Sequence, residues 1–161
     1  MRTRAVLLAA VTSLSLFSLA ACGGGDEKKP EDSAAGKPVG AKKVAVKVAD
    51  TELGKILVDQ AGRTLYGFTK DKEGVSACSE SCIAVWPALT AEGKPTAGDG
   101  TESDLFNMVK RAEGAQQVAY KEWPLYYYAG DAVPGDLNGQ GLDEEWFAVA
   151  PDGSLVKSPA S

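Results

Sequence analysis

Apolar and polar residues alternate with a period of two through most of the chain beyond Lys43. Val44, Val46 and Val48 alternate with Ala45, Lys47 and Ala49, the pattern of a half-buried strand whose successive side chains point to opposite faces. Ile56-Leu57-Val58 precedes Asp59-Gln60-Ala61-Gly62, and an apolar pattern resumes from Arg63 to Thr69, which predicts a hairpin with a longer loop. A second hairpin is predicted from Ala115 to Tyr120 with Leu125 to Ala129. A third joins Trp146–Ala150 to Ser154–Val156 through Pro151-Asp152-Gly153, with Asp-Gly as its turn.

Two helical islands interrupt this alternation. In TESDLFNMVKRAEG, Thr101 or Ser103 offers a cap, Lys110 and Arg111 come late, and Leu105, Met108 and Val109 follow helical spacing up to Gly114. A shorter turn is predicted around Ser79 to Val85, stopped by Trp86-Pro87 because a residue before proline avoids the helical region. The expected class is therefore mainly β: a small antiparallel domain of two pseudo-repeated hairpin units with one or two short helices.

The repeat is visible by displacement. A shift of 60 lays Val58 on Val118, Leu65 on Leu125, Tyr66 on Tyr126, Phe68 on Tyr128 and Asp71 on Asp131 without a gap. Trp86 falls on Trp146 at the same shift, although their neighbours differ. Two copies of Leu-Tyr-x-aromatic-x-x-Asp suggest a duplicated unit, because a lone hairpin cannot bury its own apolar face. The repeats span about residues 56–87 and 116–147 of a single domain, 44–161.

On a strand, Tyr66 and Phe68 share one face, as do Tyr126 and Tyr128, while Leu65 and Leu125 face the other way. Asp71 and Asp131 stand where those strands end, positions at which aspartate commonly accepts backbone N–H groups. Two readings follow. Either the motif is aromatic core with turn-forming acids, or Tyr66, Phe68, Asp71, Trp86, Trp123, Tyr126, Tyr128 and Asp131 form a paired site for a small ligand or an envelope protein.

The N-terminal segment changes the picture of where this domain works. Arg2 and Arg4 precede VLLAAVTSLSLFSLA, an export-signal pattern too short and too polar to span a bilayer. Leu19-Ala20-Ala21-Cys22 resembles a bacterial lipobox, which implies removal of residues 1–21 and a diacylglycerol on the Cys22 sulfur. Two acyl chains suffice for stable membrane attachment. Residues 22–43 then read as a tether, rich in Gly, Pro, Ala and charge and lacking aromatics, with too little to bury to offset its ordering entropy.

Charge and missing residue types narrow the chemistry. The chain carries 17 basic and 22 acidic residues and no histidine. Such a surface repels nucleic acid. Without histidine, Ser-His-Asp hydrolysis and His-ligated zinc, copper or haem are excluded. No cofactor and no enzymatic activity are expected. A hydrolase built on paired carboxylates would have to use Asp71 and Asp131, the symmetric acids.

With Cys22 assigned to lipid, Cys78 and Cys82 remain. Outside the cytoplasm a pair four residues apart favours a disulfide that fixes its local turn. A redox-active or metal-binding pair is the alternative. Asp136, Asn138 and Gln140 alternate like the start of a calcium loop, but Phe147 stands where a bidentate Glu is needed. Taken in order, ILVDQAGRTLYGFTKD, CSESCIAVWPAL, QVAYKEWPLYYYAGD, PGDLNGQG and EWFAVAPDG resemble the secreted-repeat bacterial lipoproteins with a Tyr-x-aromatic-x-x-Asp motif. That resemblance implies an extracytoplasmic lipoprotein and brings no established biochemical function with it.

Overall fold

The computed structural model describes residues 43–157. The export signal, the lipid site at Cys22 and the tether up to residue 42 lie outside the described residues. The element order is β1 (Ala45–Thr51), β2 (Gly54–Asp59), β3 (Tyr66–Phe68), α1 (Ser81–Val85), β4 (Thr96–Ala97), β5 (Phe106–Lys110), β6 (Gln116–Tyr120), β7 (Trp123–Pro124) and β8 (Trp146–Ala148). The domain is mainly β, as the period-two pattern predicts.

β1 and β2 form an antiparallel hairpin in which Val48 faces Leu57, and β4 adds to β1 in parallel. β5, β6 and β7 form a second antiparallel group, with Met108 facing Val118. The third expected hairpin is present: Val149 pairs with Leu155, and Ala150 N–H donates to Ser154. α1 ends where expected, with Trp86 N–H returning to the Cys82 carbonyl ahead of Pro87.

The helix expected over 101–114 is absent. Only Ser103–Leu105 makes a 3-10 turn, and Phe106–Lys110 is a strand. Leu105, Met108 and Val109 fit helical spacing, but Phe106 alternates with Asn107 equally well, and pairing with β6 decides between the two periods. Gly114, at φ 91°, is the turn of the β5–β6 hairpin rather than a helix cap.

The second hairpin is shorter than expected. β6 returns through Lys121 into β7, and Leu125 N–H still reaches the Val118 carbonyl. Beyond that point the chain leaves β6, and Tyr126 pairs with Tyr66 and Ala88. The first hairpin does the same: Leu65 N–H reaches Leu57, then β3 crosses to β8. Each repeat thus pairs its motif strand with the other repeat.

The displacement is also less uniform than the ungapped shift suggests. Leu57 donates to Val149 and accepts from Leu65, whereas Val118 donates to Leu89 and accepts from Leu125. The equivalent of Leu57 is therefore Val118, 61 residues on, while Leu65 and Leu125 are 60 apart. A one-residue change in the turn before β6 is compensated in the turn after it, and Val58 does not overlie Val118.

Alternation along the motif strands separates two cores. Leu65 and Leu125 join Val46, Leu57, Phe106, Val118 and Val149 on one side. Tyr66, Phe68 and Tyr126 join Ile56, Trp86 and Trp146 on the other.

Candidate functional site

The two motif strands meet at the pseudo-twofold axis. Tyr66 and Tyr126 exchange both backbone hydrogen bonds with each other, each at 2.9 Å. A residue paired with its own repeat equivalent must lie on the axis, and the side chains then cross it. The Tyr66 hydroxyl donates to Asp131 Oδ2 and the Tyr126 hydroxyl to Asp71 Oδ2, both at 2.8 Å. Each acid belongs to the opposite repeat.

The other carboxylate oxygens are also occupied. Asp71 Oδ1 accepts the Ala77 N–H at 2.6 Å, and Asp131 Oδ1 accepts the Asn138 N–H at 3.0 Å. Burial, together with the facing carboxylates, pushes both phenols well above their ordinary range, so they remain neutral donors. Burial also pushes the Asp71 carboxyl up to about 6, opposed by the Ala77 N–H, the Tyr126 hydroxyl and the charge of Arg111. Asp131 is pushed in the same direction by burial, with Tyr66 and Asn138 opposing.

A pH dependence follows. A carboxyl raised from 3.8 to about 6 costs the fold nothing below pH 3.8, where both states are protonated. The unfolded state gains increasingly as pH rises to 6, and the penalty is complete above it. Between pH 4.5 and 7, urea denaturation is expected to show a loss of about 2 kcal/mol from Asp71. Asp71→Asn is expected to flatten that slope; an equal slope in the variant would refute the assignment. Asp59 acts oppositely: burial would raise it, but the Arg63 N–H and guanidinium and the Tyr127 hydroxyl outweigh burial and hold it low. Its contribution is lost only as pH falls below 3.8.

Above the axis the aromatic rings form a column. Phe68 stacks on Trp146 with ring centroids 4.1 Å apart, Trp146 on Trp86 at 3.8 Å, and Trp86 lies against Tyr128 at 4.6 Å. Tyr66 meets Trp86 edge-on and Tyr126 meets Trp146 edge-on. Phe68 and Tyr128 are repeat equivalents, as are the two tryptophans, so the column is symmetric about its centre. Gly139 seals it, because a Cβ there would stand 2.8 Å from Tyr66 Cζ and 3.0 Å from Trp86.

This geometry answers the open question about the motif. Tyr66, Phe68, Asp71, Trp86 and Tyr126 are buried, so the expectation that they present a ligand surface is corrected. Their polar atoms need partners once the rings enter the core, and the two repeats supply them to each other. Trp123, Tyr128 and Asp131 are half-buried. The Trp123 indole N–H donates to the Gly153 carbonyl.

The calcium-loop candidate is likewise occupied by backbone. Asp136 Oδ2 accepts the N–H groups of Ala132 and Val133, and Asn138 donates to Gly130. Gln140 bridges Val156 and Ala148. These hydrogen bonds hold the shape of the loop.

Cys78 and Cys82 form a disulfide with Cα atoms 5.3 Å apart. Cys78 and Trp86 are buried in the same core, with Cys82 packed against it. Iodoacetamide is expected to leave both unlabelled in native protein and to label both after reduction in denaturant. Labelling without reductant would refute the bridge.

Two polar clusters had no sequence signal. Buried Arg111 donates to Ser76, Gln117 and the Cys78 carbonyl, and Gln117 donates to the Leu125 carbonyl. Buried Asp59 takes Arg63 through Nε and Nη2, and the guanidinium lies 3.9 Å from the Tyr127 ring centroid. An Arg inside an apparent helix and an Asp in an apparent loop look like surface residues until the strands are paired.

Comparison with known proteins agrees with this internal symmetry. A family model described as a secreted repeat of unknown function matches the chain twice, over residues 47–90 and 107–150, two spans displaced by 60. No curated protein and no solved structure matches the chain significantly. The family places the domain outside the cell, and each match contains one motif strand of the axial pair. The chain belongs to this family of secreted repeats of unknown function and carries two copies of the repeat, interlocked across one axis.

Proposed function

We propose that the protein is a lipid-anchored, extracytoplasmic binding module that acts by holding a small ligand or an envelope protein and performs no catalysis. The observation that carries this reading is the reciprocal exchange of Tyr66–Asp131 and Tyr126–Asp71. Asp71 is 5% exposed and both its oxygens are engaged, so it has no access to a substrate as acid or base. The motif serves as a framework, which leaves the surface around it for recognition.

The test is native mass spectrometry of the full chain purified from a bacterial envelope. The expected species lacks residues 1–21, carries a diacylglyceryl group on Cys22, and retains a partner or small ligand. Cys22→Ser is expected to release the protein from the membrane fraction. A ligand-free species throughout would count against the binding role. The stacked rings beside a disulfide also suit a redox accessory. A reversible midpoint potential that disappears in Cys78→Ser/Cys82→Ser would favour that alternative.

A further inference from the structure

The sheet that crosses the axis is complete on one side only. Its segments run from 154–156 through β8 and β3 to 125–127 and then 87–90. On the completed side, Val156 N–H donates to the Ala148 carbonyl, Ala150 N–H donates to Ser154, and Gly153 N–H returns to Ala150. The equivalents of Ala148 and Ala150, 60 residues earlier, are Ala88 and Thr90.

The inner partners of that segment are all made by its alternate residues. Leu89 donates to Leu125 and accepts from Val118, Pro87 accepts from Tyr127, and Ala91 donates to Gln116. In an antiparallel ladder the residues between must then point their N–H and C=O groups to the opposite edge. Among the described residues no backbone or side-chain group bonds Ala88 or Thr90. The chain does not turn back here as it does after Ala150; it continues to β4 alongside β1.

The side chains beside this edge differ from those beside its equivalent. Leu155 lies over Gly67, where a Cβ would stand 2.8 Å from it, with Trp123 alongside. Sixty residues away from Gly67 and Trp123 stand Tyr127 and Arg63. The slot that takes leucine on one side is thus filled by a tyrosine ring with a guanidinium over it on the other. A cleft of about 460 Å³ opens here, bounded by Lys43, Arg63, Tyr127 and Pro87–Thr90. Arg63 spends Nε and Nη2 on Asp59 but its side chain is 49% exposed.

We propose that the Ala88–Thr90 edge binds an extended segment of a partner protein as an added antiparallel strand, with a carboxylate side chain of that segment at Arg63 and Lys43. This rests on the binding-module reading and names its site. The partner would donate an N–H to the Ala88 carbonyl and accept the Thr90 N–H, repeating what Val156 and Ser154 do for Ala148 and Ala150. Main-chain bonds supply affinity in such strand addition and the alternate side chain supplies selectivity. A carboxylate suits two cations, whereas the ten residues that lead into Lys43, 33–42, carry no acid and bring Lys37 and Lys42. The edge is short and begins at a proline, a form that discourages self-association.

The test uses amide NMR of the full chain with two pools of acetylated, amidated pentapeptides. One pool fixes Glu at the third position and the other fixes Lys, with Ala, Ser, Thr and Val elsewhere. The Glu pool is expected to shift the Ala88, Thr90 and Tyr127 amides and to slow Thr90 exchange about tenfold at saturation. The Lys pool and a backbone N-methylated Glu pool are expected to leave them unmoved, and Lys43→Glu to weaken the Glu pool several-fold. Three results would overturn the proposal. The first is no shift at this edge. The second is equal binding of both pools. The third is a Thr90 amide already protected in the free chain, as docking of the tether or of a second copy would make it. Shifts confined to another surface would reject this edge while leaving the binding role intact. The native mass spectrum tests that role independently.

Discussion

Trp146→Ala is expected to destabilise the domain by about 3–5 kcal/mol, the range for removing a large buried aromatic. Trp146 is 2% exposed and touches three rings: Phe68 on one face, Trp86 on the other and Tyr126 edge-on. Its loss opens the centre of a four-ring column whose neighbours are held by strand pairing and cannot close over the space. Trp86→Ala is expected to cost a similar amount, because Trp86 has the equivalent contacts with Tyr128, Trp146 and Tyr66. Trp123→Ala, at a half-buried ring outside the column, is the control and is expected to cost less. Urea denaturation measures the losses. Near-ultraviolet circular dichroism reports the column itself, since two indoles stacked 3.8 Å apart couple their excited states. Either column variant should abolish that coupled band while Trp123→Ala retains it. A cost below about 1 kcal/mol with the band unchanged would show that the stack is not part of the core.

The symmetry of this stack was partly legible in the sequence. The ungapped shift paired Tyr66 with Tyr126 and Trp86 with Trp146, and alternation assigned Leu65 and Leu125 to the face opposite the tyrosines. Those features depend on local spacing, which the pleat of a strand preserves. What the sequence did not carry was the exchange between repeats. Nothing in Leu-Tyr-x-aromatic-x-x-Asp distinguishes a tyrosine bonded to its own aspartate from one bonded to the other copy. That choice follows from where the chain crosses after Leu65 and Leu125, a long-range consequence of β3 pairing with β8. The misread helix at 101–114 has the same origin. Its residues satisfied a 3.6 period over a short window, and only the edge of β6 made the strand preferable. Burial of the candidate ligand residues was equally hidden, since an aromatic-rich strand reads alike whether it faces solvent or a facing sheet.

Arg111→Met is expected to cost about 2–5 kcal/mol, because it leaves buried acceptors without donors. Arg111 is 7% exposed, and its guanidinium serves Ser76, Gln117 and the Cys78 carbonyl, with Glu113 at the rim. The methionine matches its apolar stem and so isolates the polar loss from a packing loss. The network continues from Ser76 to the Tyr126 hydroxyl and from there to Asp71, so the variant also acts at the axis. The charge of Arg111 is among the influences that hold the Asp71 carboxyl down, although burial prevails. Without it, that carboxyl rises above its present value of about 6, and the ionisation penalty at pH 7 grows. At pH 4.5 Asp71 is largely protonated in the fold, so little of that second penalty remains. The cost of Arg111→Met should therefore be larger at pH 7 than at pH 4.5 in paired urea titrations. The dependence should vanish when Asp71→Asn is added. Arg111→Lys retains the charge without the planar fork, so its cost should vary less with pH than that of Arg111→Met while much of the stability loss remains. A cost independent of pH would mean that Arg111 braces only the disulfide turn, and that the axial pair does not sense it.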